Sequence, residues 1–110
     1  SEVEIEKMRE VITAKIAECS TYFTKQAEIF GKLMANNGVS AEAIRVDYTH
    51  PRQVRIQVTS PPAMAFVRLL ERLDELAMQI DLLWWGGVFN DRQRLKALHQ
   101  LQGHLIKTGQ

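Results

Sequence analysis

The chain has 110 residues, 45% hydrophobic and 25% charged, a balance that fits a globular domain and excludes a disordered polyelectrolyte. Fourteen Lys and Arg against thirteen Asp and Glu give a formal net charge of +1, so bulk charge makes no case for a nucleic-acid partner. Cys19 is the only cysteine, which excludes a disulfide framework and a cysteine-based zinc site.

Length predicts a single domain over residues 1–110. The start of the chain alternates acids with apolar residues and has no basic, then apolar, leader pattern; with the lone cysteine, this points to a cytoplasmic protein with no membrane partner. Local charge is less even than the total. Residues 88–110 hold Arg92, Arg94, Lys96 and Lys107 against Asp91 alone, where a groove-binding unit needs its cations.

In chain order, residues 1–37 read as one long helix. Ile5, Met8, Ile12, Ile16, Cys19, Phe23, Ala27, Phe30 and Met34 recur at steps of three and four, with Val11, Tyr22, Ile29 and Leu33 widening the stripe. Asn36-Asn37-Gly38 supplies a left-handed stop.

Over residues 44–59 the period changes to two. Ile44, Val46 and Tyr48 alternate with polar residues, His50-Pro51 interrupts, and Val54, Ile56 and Val58 alternate again, predicting a short β ribbon or hairpin. Whether the two runs pair within one chain or the second pairs across a dimer stays open. Gln53, Arg55, Gln57 and Thr59 lie on the polar face of the second run, and these side-chain types read base edges in a DNA major groove.

Residues 60–86 predict a second helix. Ser60 caps it, Pro61 and Pro62 suit its first turn, and Gly86-Gly87 ends it. Its stripe is Phe66, Leu70, Leu73, Ala77, Ile80 and Trp84, flanked by Leu69, Leu76 and Leu83. Residues 90–108 predict a third, capped by Asn90 or Asp91, with Leu95, Leu98, Leu101, Leu105 and Ile106 as its buried line. The adjacent Trp84 and Trp85 are expected to anchor the turn between these helices. The fold expected is α+β, mostly α: a long N-terminal helix, a short β ribbon and two C-terminal helices, closed as a ribbon-helix-helix-like dimer.

The Ser60-Pro61 helix start, the Leu73-Asp74 pair, Asp81 seven residues on, and a Leu83-Trp84-Trp85-Gly86-Gly87 turn before a basic helix carry a resemblance. In these features the C-terminal half resembles the AcaB-like transcriptional regulators of conjugative plasmids and integrative conjugative elements. The resemblance implies a ribbon-helix-helix unit, dimerisation and DNA binding.

The function expected is sequence-specific binding of double-stranded DNA by a homodimer that regulates transcription on a mobile genetic element. Gln53, Arg55, Gln57 and Thr59 are the expected base contacts, and Arg52, Arg92 and Arg94 the expected phosphate contacts. The alternative is a helical homodimeric interaction or assembly module whose polar strand face merely meets solvent. No enzyme, cofactor or metal is expected. His99 and His104 are five apart and diverge on a helix, and no phosphate loop or nucleophile motif is present.

Overall fold

Ser1, Ser60 and Asn90 each accept a hydrogen bond from the backbone N–H three residues on: Glu4 at 3.3 Å, Ala63 at 3.3 Å and Gln93 at 2.8 Å. These are side-chain caps on three helix starts. The last is reciprocal, because Gln93 Oε1 accepts the Asn90 N–H at 2.9 Å and completes a capping box. The computed structural model describes residues 1–42 and 60–110, and the helices it contains are α1 (Glu2–Asn36), α2 (Pro61–Trp85) and α3 (Asp91–Thr108).

The stops of α1 and α2 share one geometry. Gly38 and Gly87 have φ of 66° and 79°, the left-handed region open to glycine. The next residue, Val39 or Val88, returns its N–H to Met34 or Leu83 at 2.8 Å. That is the six-to-one bond of a Schellman ending. Val39 then lies so close to Gly86 that a Cβ there would meet Val39 Cγ2 at 2.7 Å.

Those contacts fix the helix directions. Arg72 Nη2 donates to Thr24 Oγ1 at 3.0 Å, Gln79 Nε2 donates to the Ala27 carbonyl at 3.3 Å, and Gly86 meets Val39. Residue numbers rise together, so α2 runs parallel to α1. A tight turn reverses the chain into α3, whose far end lies beside Lys15, where Lys15 Nζ donates to the Gln110 carbonyl at 2.7 Å. The result is a three-helix bundle about as long as α1 alone, with a long dimension of 54 Å against about 52 Å for 35 helical residues.

The core consists of Ile16, Cys19, Phe23 and Phe30 of α1, Leu69, Leu76, Ile80 and Leu83 of α2, and Leu101 of α3. Phe89 closes one end edge-on against Phe30, ring centroids 6.1 Å apart. The long apolar run on α1 is only partly used. Ile5, Met8 and Ile12 share the period of Ile16 and Phe23, yet residues 1–14 are all exposed. On α2 the buried line is Leu69, Leu76, Ile80 and Leu83, and Leu70 faces out. On α3 the buried residues are Leu101 and Thr108, while Leu95 and Ile106 are exposed.

This architecture corrects the expected α+β ribbon-helix-helix dimer. Among the described residues there are three helices and no strand. The physical reason lies in the partner that α2 uses. A ribbon-helix-helix unit closes its helices over a β ribbon shared between subunits, whereas here α2 covers its apolar line with α1 of the same chain. The alternating stretch at 44–59, with Arg52, Gln53, Arg55, Gln57 and Thr59, lies outside the described residues. No helix among them is long and apolar enough to cross a membrane.

Candidate nucleic-acid interface on α3

Asp91 is the single carboxylate of α3, and it is engaged: Trp84 Nε1 donates to its Oδ1 at 2.7 Å. Arg94 is engaged as well. Its Nε donates to Asp81 Oδ1 at 2.8 Å, and its guanidinium lies 4.8 Å from the Trp84 ring centroid. Trp84, Asp81, Asp91 and Arg94 therefore form a latch that fixes the α2–α3 turn. Arg94, an expected phosphate contact, is thus committed to holding two helices together. Trp85 does not share the work of its neighbour, being 72% exposed.

With Asp91 and Arg94 accounted for, the outward face of α3 becomes simple. Arg92, Lys96, His99, Gly103 and Lys107 follow at steps of four, three, four and four, with Gln100 beside them. All except the half-buried Gly103 are exposed. No acidic side chain of α3 interrupts this line. Gly103 leaves a gap in it, since a Cβ there would meet nothing within 4 Å. The line is about 22 Å long at 1.5 Å per residue. Leu95 and Ile106, 56% and 62% exposed, border it on one side.

The inner edge of this face meets α1 in a cleft of about 380 Å³, where Lys15 and Lys107 stand on either side of Tyr22 and His104, with Glu18 the one acid in its lining. Tyr22 and His104 stack at 3.5 Å between ring centroids and 12° between planes. Burial raises the Tyr22 pKa above the ordinary 10.0, with a further push from Cys19, because a phenolate loses hydration there. Cys19 itself is buried in the core.

Of the expected site residues, then, Arg92 is exposed on α3 and Arg94 is held by Asp81. His99 and His104 do diverge, one to the outer face and one onto Tyr22. Lys96 and Lys107, legible in the sequence only as part of a local cationic excess, join Arg92 on one face, and Gln100 is an addition. Their signal was the four-three-four-four spacing from Arg92 with no acid between, which marks one helix face. In comparisons with protein-family models, curated proteins and solved structures, nothing matches this chain.

Proposed function

We propose that this protein is a dimeric DNA-binding regulator whose contact surface is the outward face of α3. The observation that carries the reading is the acid-free line Arg92, Lys96, His99, Gln100 and Lys107. A helix about 10–12 Å across matches the roughly 12 Å width of the B-DNA major groove. Arg92 offers paired donors to a guanine edge, Gln100 a donor and an acceptor to an adenine edge, and Lys96 and Lys107 offer point charges for phosphates. A role in transcription on a mobile element rests on the family resemblance of the C-terminal half.

The test is fluorescence anisotropy on duplex DNA across a salt series. The parent binds with a steep negative slope of affinity against salt. Each phosphate contact removed by Lys96→Ala or Lys107→Ala lowers that slope by about 0.9. A parent protein that shows no salt-sensitive retention on DNA or heparin ends this reading. A second reading, an assembly module without DNA binding, is favoured by the apolar stripe left open on the first turns of α1.

A further inference from the structure

Among the described residues, the first four turns of α1 have no partner. Ile5, Met8, Val11 and Ile12 are 59%, 65%, 53% and 40% exposed, and on a helix they form one stripe. That stripe is continuous with Ile16, Cys19 and Phe23, which α2 and α3 cover. The cover stops abruptly. Arg72 stands beside Thr24, so α2 begins eleven residues earlier, at the level of Thr13, and α3 ends beside Lys15. Both helices thus end at one step on α1, leaving about 21 Å of bare amphipathic helix beyond it.

We propose that a second copy of this chain covers the stripe, with the two α1 helices antiparallel and crossing near Met8. The step decides the direction. A parallel copy lying on this face would carry its α1 past residue 14 into the space that α2 and α3 already fill. An antiparallel copy lays its own bare turns along residues 1–14, and its bundle emerges at the opposite end. Both stripes are then covered without a clash.

Charge points the same way. Glu2, Glu4 and Glu6 fall in the first six residues, whereas Lys7, Arg9 and Lys15 outnumber Glu10 in the next nine. A parallel pair stacks the three acids on their own copies. An antiparallel pair crossing near Met8 brings Glu4 within about one turn of the second copy's Lys15 and Glu2 within about one and a half turns of its Arg9, and the helix dipoles oppose as well. Glu2 and Arg9 share one edge of the stripe, and Glu4 and Lys15 the other. In an antiparallel pair each edge meets its own counterpart, as at the flanks of a coiled coil. The two-fold axis makes every such contact occur twice.

This inference rests on the proposed dimer and supplies its contact, but it uses no residue of the α3 face, so dimerisation and DNA binding fail separately. Analytical ultracentrifugation of the chain at about 50 µM tests the contact, a concentration at which an interface of modest area is populated. The parent sediments as a dimer, and Met8→Glu/Ile12→Glu as a monomer whose bundle still melts cooperatively, since both side chains are exposed. A monomeric parent, or a double variant that still dimerises, overturns the proposal. Direction is read separately from spin labels at Glu2→Cys in a Cys19→Ala background. They stand about 20 Å apart in the antiparallel pair, against about 10 Å in a parallel one. The short distance overturns the antiparallel assignment.

Discussion

Tyr22 of α1 and His104 of α3 lie ring on ring, 3.5 Å between centroids and 12° from parallel. The stack and the core residue Leu101 both tie α3 to α1. Because burial raises the Tyr22 pKa above 10.0, the folded state favours the neutral phenol. The sign follows: this contribution is complete below about pH 10 and is lost as pH rises through the higher folded value. Thermal melts should show the parent losing stability above about pH 10 more steeply than Tyr22→Phe, with the two curves converging at neutral pH. Equal alkaline slopes would remove the assignment.

The latch between Asp81 and Arg94 is partly exposed, 34% and 39% at the side chains. An exposed ion pair contributes up to about 1 kcal/mol and the stack on Trp84 about 0.5–1 kcal/mol. Arg94→Ala should therefore destabilise by about 1 kcal/mol in urea titrations. A double-mutant cycle with Asp81→Ala should recover roughly half of that as coupling. DNA affinity should change less for Arg94→Ala than for Arg92→Ala; the reverse order would mean that Arg94 leaves its partners to bind.

Two glycines make opposite predictions. At Gly86 an added Cβ meets Val39 Cγ2 at 2.7 Å and the Leu82 carbonyl at 3.2 Å. Gly86→Ala should cost about 1–3 kcal/mol, as overpacking does, and Val39→Ala should return part of it. Gly103 lies inside α3 with open space around it. Gly103→Ala should stabilise by about 0.8–1 kcal/mol through helix propensity alone. Denaturant midpoints of the two variants, shifting in opposite directions at constant m, check the pair.

The apolar stripe of α1 predicts two unlike costs. Phe23 is fully buried, whereas Met8 is 65% exposed. Phe23→Ala should cost about 3–5 kcal/mol. Met8→Ala should stay within about 0.5 kcal/mol when measured on dilute monomer. A large loss at Met8 under those conditions would place a packing partner within the chain.

That contrast shows where the sequence was readable. Helix periods, the Ser60 and Asn90 caps and the glycine stops are local signals, and the structure places helices where they lie. Which half of the α1 stripe is buried is set by where α2 and α3 align along it, a tertiary fact with no local mark. Val11 and Leu33 widen the stripe without saying which part is covered. The same holds for rotation. Leu69 and Leu70 are equally apolar, and only packing on α1 decides that Leu69 goes in. Arg94 is legible as a cation, but Asp81, thirteen residues back across a turn, decides its use. The ribbon-helix-helix expectation erred because it gave α2 a β ribbon for a partner, whereas the bundle gives it α1.

Val39 caps α1 and also rests against Gly86, the last turn of α2. Neither helix end can then fray without loosening the other, while the bare turns at the opposite end of α1 open freely. Amide hydrogen exchange on dilute protein should follow this polarity. The N–H groups of Val39 and Val88, each bound into a Schellman ending, should be released in a common event with closely matched free energies. Those of residues 5–12 should exchange almost as fast as in an unstructured peptide, and slow sharply only when a second copy covers them.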